Sequence, residues 1–84
     1  MGLPPSGTVT FLFTDIEGST RLWEDQPEDM RALAAEHDER VRASIERNDG
    51  YVVKATGDGF HAAFGRAADA VAAAEQAQAA IADL

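Results

Sequence analysis

Cysteine is absent from this 84-residue chain, which excludes disulfide staples, thiolate metal sites and a cysteine nucleophile, and suits a reducing cytosol. No apolar run approaches a membrane span. The opening MGLPPSG carries neither the basic region nor the apolar stretch of a signal peptide. A soluble, cytoplasmic protein without a membrane partner is therefore expected. Gly2 and Ser6 satisfy the bare myristoylation pattern, but two prolines and the lack of a basic patch favour a flexible leader over residues 1–7. Basic side chains are scarce as well: 7 Lys+Arg stand against 15 Asp+Glu, a net charge of −8. That balance repels phosphate backbones and anionic headgroups, so nucleic acid is disfavoured as a partner. A nucleotide is still admissible where a divalent cation stands between carboxylates and phosphates. Repeats, linkers and low-complexity segments are also missing. The length allows one domain near the lower limit for an unaided core, or part of a larger one.

What is present is a short series of patterned segments. TVTFLFTDI (8–16) has the β-branched and aromatic content of a strand, and its unalternating Phe11, Leu12 and Phe13 suggest a central strand covered on both faces. Ser19 or Thr20 is placed to cap a short helix through Trp23 and Glu24, with Trp23 packing over the sheet. Pro27 then fits the first turn of a second helix capped by Asp25. Met30, Leu33, Ala34, Val41 and Ile45 recur at helical spacing to about Arg47, and Gly50 supplies a left-handed terminus. YVVKAT and FHAAF flank an Asp58-Gly59 turn, a strong hairpin signal. Val71, Ala74, Ala77 and Ile81 mark one side of a final alanine-rich helix. The order β-α-α-β-β-α is an α+β arrangement, with helices covering an antiparallel sheet. Three strands leave that sheet incomplete, with an edge open for pairing.

Asp15 ends the first strand abruptly. One reading makes it a turn residue or cap ahead of Gly18 and Ser19. The other begins from Asp58, held at the hairpin tip between two glycines that permit close approach to the backbone. If the strand lies beside the hairpin, the two carboxylates converge, and hard oxygen donors of that kind bind Mg²⁺ or Mn²⁺. IEGST adds a glycine-containing turn running into a helix start, where free N–H groups attract an anion. No GxxxxGK[ST] motif occurs, so the site is not a P-loop. His37 and His61 read as structural residues, and Glu17 as an exposed turn acid.

FTDIEGSTRLWE and KATGDGFHAAF, about forty residues apart, resemble the two metal motifs of the class III nucleotidyl cyclases, the adenylyl and guanylyl cyclase catalytic domains. The resemblance runs from about Thr8 to the end of the chain. It implies that residues 8–84 form the N-terminal half of such a domain, ferredoxin-like and palm-type. It further implies that Asp15 and Asp58 hold two divalent metal ions, Mg²⁺ or Mn²⁺, with help from the Ile16 carbonyl. Backbone amides of Gly18, Ser19 and Thr20 would meet the phosphates, and Lys54 would select the base. An ammonium donates to adenine N1, whereas guanine N1 carries a hydrogen, so ATP is favoured over GTP. The reaction implied is conversion of ATP to 3′,5′-cyclic AMP and pyrophosphate in intracellular signal transduction.

In that family each site lies between two subunits arranged head to tail, with the metal aspartates on one and the base-selecting lysine on the other. A homodimer or a fuller cyclase partner is therefore the expected assembly. A full catalytic domain is longer, and its second half supplies the lysine's partner, an asparagine and an arginine that have no counterparts here. Low activity of this chain alone is the resulting expectation. The alternative is a non-catalytic module that binds metal and nucleotide or serves dimerisation. Polymerase and diguanylate cyclase palms also begin with an acid-ended strand. The lysine four residues before Asp58 and the lack of a GGDEF-like turn argue against them.

Overall fold

A computed structural model describes residues 4–16, 19–56 and 59–82. Its elements are β1 (Thr10–Asp15), α1 (Ser19–Asp25), α2 (Pro27–Arg47), β2 (Tyr51–Ala55), β3 (Gly59–Phe64) and α3 (Ala67–Ile81). They follow the expected order. The sheet is antiparallel with strand order β1-β3-β2, so β3 is central. This corrects the expectation for β1, which lies at one edge of the sheet with only one face covered. Its burial alternates residue by residue, with Phe11, Phe13 and Asp15 on the open side. The Phe-Leu-Phe run hides that alternation, because both sides of the strand are apolar in composition.

The helices pack on the opposite face. α2 buries Met30, Ala34, His37, Val41, Ser44 and Ile45 along one stripe, and α3 buries Ala70, Ala73 and Ala77. Val41, Ile45, Phe60, Ala62, Phe64 and the α3 alanines form the core, with Leu12, Val52 and Ile81 packed against it. Val71, expected on the buried side of α3, is 58% exposed. Alanine at the contact lets the helix lie close to the sheet, and that proximity outweighs the larger side chain's apolar area. α1 packs against α2, and Trp23 is half-buried.

Two helix ends differ from expectation. The N-cap of α2 is Gln26, without a side-chain capping bond, while Asp25 closes α1, 3.8 Å from Arg21 Nε. At the other end, Asp49 rather than Gly50 takes the left-handed conformation, with φ 60°. Asp49 N–H donates to the Glu46 carbonyl and Gly50 N–H to the Ile45 carbonyl, the pairing of a Schellman motif. Gly50 is required for space instead: a Cβ there would stand 2.5 Å from Ile45 Cγ2 and 2.6 Å from Phe64 Cε2.

Polar bonds join the two long helices. Arg40 Nη1 donates to the Ala80 carbonyl at 2.6 Å, and Asn48 Nδ2 donates to Gln76 Oε1 at 2.9 Å. Arg40→Met keeps the apolar stem and loses the interhelix bond. It is expected to lower stability by about 1 kcal/mol, read as a reduced urea midpoint with an unchanged slope. No helix among the described residues is long and apolar enough to cross a membrane.

Candidate functional site

The open face of the sheet collects the polar chemistry. Asp15 is the last residue of β1 and pairs across the ladder with Gly59, the first residue of β3. Its side chain is exposed and makes no hydrogen bond or ion pair among the described residues. Gly59 is what allows this pairing. A Cβ there would stand 2.1 Å from the Thr14 carbonyl oxygen, so no other residue fits without moving β1. Phe60 N–H donates to the Thr14 hydroxyl at 2.9 Å, which pins the same end of the ladder.

Lys54 reaches the open face through an irregularity. Val52 packs against the core, and strict alternation would send residue 54 the same way. A bulge between Val52 and Lys54 adds one residue, so that Lys54 pairs with His61 and shares its side of the sheet. Tyr51 and Lys54, three apart in sequence, thereby face the same way.

Phe13 pairs with His61 on that face, and their rings stack at 4.3 Å with planes 19° apart; Phe11 lies 5.1 Å from the same imidazole. Phe13 is 68% exposed and Phe11 55%. Phe13, Lys54, Thr56, Gly59 and His61 line a shallow concavity of about 170 Å³. A flat aromatic surface beside an ammonium is suited to a π-faced, hydrogen-bonding ligand such as a purine. His61, expected to be structural, is half-buried here, with Nε2 lacking a hydrogen-bond partner among the described residues. The signal that places Phe13 and His61 beside Lys54 is strand pairing, which residue types alone do not carry.

The remaining expected residues are placed less completely. Ile16 follows β1 directly and is half-buried, while Ser19 and Thr20 open α1. Gly18 and Asp58, together with Glu17, lie outside the described residues. His37 is buried on α2 as a helix residue, its Nδ1 3.6 Å from Asp38 Oδ1, with neither atom hydrogen-bonded among the described residues. Among the described residues no three His, Asp or Glu side chains gather into a metal cage. The donors available next to β1, an unengaged carboxylate and a backbone carbonyl, are hard oxygens, and they fit Mg²⁺ or Mn²⁺ rather than a soft metal.

Comparison with known proteins agrees with this geometry. The family described as adenylate and guanylate cyclase catalytic domain matches residues 2–83. An uncharacterised protein of Mycobacterium tuberculosis H37Rv is 49% identical over 74 residues, covering 86% of this chain and 26% of that protein. An adenylate cyclase of Neurospora crassa is 41% identical over 68 residues, which are 81% of this chain and 3% of the fungal protein. A solved structure of a Trypanosoma brucei adenylate cyclase in its monomeric state superposes with a TM-score of 0.81 at 42% identity, covering 84% of this chain and 30% of that one. The chain thus spans about a quarter or less of the length of the mycobacterial and fungal relatives.

Proposed function

Since the chain belongs to the adenylate and guanylate cyclase catalytic domain family, we propose that residues 8–84 form the metal-binding and base-binding half of a nucleotidyl cyclase site, with ATP preferred over GTP. The reaction is conversion of ATP to 3′,5′-cyclic AMP and pyrophosphate. The site is shared across a head-to-tail homodimer or with a fuller cyclase partner. One nucleotide thus meets the metal-binding acids of one subunit and the base-selecting lysine of the other, and the open face of each chain serves both purposes. The observation that carries this reading is the gathering of Asp15, Gly59, Phe13, His61 and Lys54 on one open sheet face. That face is one the helices leave bare.

The roles proposed for the metal-binding, phosphate-binding and base-selecting residues are those the family resemblance implies. Asp15, Asp58 and the Ile16 carbonyl would hold the divalent ions, which when bound supply charge neutralisation at the triphosphate and a lowered pKa for the ribose 3′ hydroxyl. Lys54 donates a hydrogen bond to adenine N1, and the Phe13–His61 stack offers the base a flat wall. Backbone amides of Gly18, Ser19 and Thr20 would hold phosphate oxygens. With base and phosphates held at separate points, the ribose 3′ oxygen is kept close to the α-phosphorus for an in-line displacement, and pyrophosphate leaves.

The test is production of cyclic AMP and pyrophosphate from ATP with Mn²⁺, measured over a wide protein concentration range. Activity rising faster than linearly with concentration, and absent from an Asp58→Ala control, supports a shared site. A folded chain that binds Mn²⁺ and nucleotide without turnover is the binding module instead, and a folded chain that binds neither overturns both readings. In the active case Lys54→Ala is expected to reduce the preference for ATP over GTP about tenfold, the value of one hydrogen bond to the base.

A further inference from the structure

Strand order gives the ring stack on the open face a direction. Phe13 on β1, His61 on β3 and Lys54 on β2 are cross-strand partners in one row, so the imidazole stands between the phenyl ring and the lysine. The Phe13 and His61 rings are 4.3 Å apart with planes 19° apart, and neighbouring strands lie about 4.8 Å apart. A stack whose step matches the strand spacing has its ring faces turned along the row. One face of the imidazole is therefore covered by Phe13, and the other looks toward the column above β2.

That second face is prepared but unfilled. Among the described residues no hydrogen bond holds the imidazole, whose Nε2 is buried without a partner. Its orientation comes from the Phe13 stack, with Phe11 tilted against it at 5.1 Å. Toward β2 no aromatic ring continues the row, because the stem of Lys54 is aliphatic. Period two puts residue 59 on the same face of β3 as His61, and a glycine there leaves room beside the ring. His61, Lys54, Thr56 and Gly59 all line the concavity of about 170 Å³.

We propose, building on the base-binding reading above, that His61 is the residue on which the purine stacks. The base takes the third place in the row, after Phe13 and His61, on the same chain as the Lys54 whose ammonium reads its edge. Phe13 is a positioning residue that holds the imidazole upright from behind. Two tasks are thereby divided between neighbouring strands. Stacking is indifferent to the donor and acceptor pattern, because every base has a π-face, so His61 supplies affinity for ATP and GTP alike while Lys54 separates them.

Proton NMR of the 84-residue chain, titrated with a non-hydrolysable ATP analogue and Mg²⁺, tests this. The chain has two histidines, and His37, buried on α2, serves as the internal reference. His61 ring protons are expected to move upfield as the base covers them, while those of His37 stay in place. Phe13→Leu is expected to shrink that movement by releasing the imidazole. His61→Ala is expected to weaken binding of the ATP and GTP analogues by the same factor, about tenfold. His61→Phe keeps a flat ring and should stay within about threefold of the unaltered chain, whereas His61→Leu, apolar without a π-face, should behave as alanine does. Urea midpoints confirm that each variant is folded. A folded unaltered chain that binds no nucleotide overturns this proposal together with the base-binding reading. Binding with unmoved His61 protons, or binding undiminished in folded His61→Ala, overturns the stacking while leaving that reading intact. So does a loss in His61→Phe as large as in His61→Ala, which would assign the affinity to an imidazole nitrogen instead.

Discussion

Replacing Asp15 and Asp58 together by alanine is expected to abolish Mn²⁺-dependent binding of a non-hydrolysable ATP analogue while leaving the unfolding midpoint nearly unchanged. The two halves of that expectation rest on different observations. Asp15 is exposed, ends its strand and has no hydrogen-bond or ion-pair partner among the described residues. Its removal takes away nothing the fold uses, and surface changes of that kind stay within about 0.5 kcal/mol. Function is another matter. A chain with net charge −8 has no reason to attract a triphosphate except through cations held between the two sets of negative charge. Without the carboxylates the repulsion is uncompensated, and a loss of about a hundredfold or more in affinity follows, near 3 kcal/mol. Calorimetric titration with and without Mn²⁺ reads it directly. Unchanged metal-dependent binding by the folded double variant would refute the assignment of these acids.

Gly59→Ala is expected to damage both the fold and the site. The added methyl would sit 2.1 Å from the Thr14 carbonyl oxygen, and a backbone atom in a paired strand cannot swing aside as a side chain can. β1 must shift away from β3 at the very end that carries Asp15. Overpacking against such a partner costs about 3 kcal/mol, a large share of what a domain of this size possesses. Nucleotide binding should weaken even in conditions where the variant is folded. Gly65→Ala is the matched control, because a Cβ there meets only Pro5 Cβ at 3.8 Å, and it should be nearly neutral. Equal urea midpoints for the two variants would show that the β1–β3 contact tolerates more than its geometry implies.

How legible each element is in the sequence depends on the physical signal it carries. α2 is legible because Met30, Ala34, Val41 and Ile45 repeat at helical spacing, although His37 and Ser44 occupy the same buried stripe and polarity conceals them. The hairpin is legible from its turn residues. Burial of α3 is not, since Val71 outranks its alanine neighbours in hydropathy while Ala70, Ala73 and Ala77 win the contact by being small. β1 misleads because apolar composition reports what a strand is made of, and Phe11 and Phe13 are apolar on a face no helix covers. Of the candidate site, Asp15 and Lys54 are legible as residue types in a motif. Their common face is not, because it depends on strand pairing and on one extra residue in β2.

That extra residue ties the identity of position 54 to the spacing that precedes it. A chain one residue shorter in β2 would carry the same lysine to the side of the sheet where Val52 packs against the core, and would hand its former place to a neighbour. Substitution can change which group greets the ligand, but only insertion or deletion can change which side of the sheet it inhabits. For a lineage built on this strand, base preference can therefore drift by point mutation while the lysine's orientation is locked to chain length, and an alignment that places its gap inside YVVKA would exchange interior for exterior without any residue having changed.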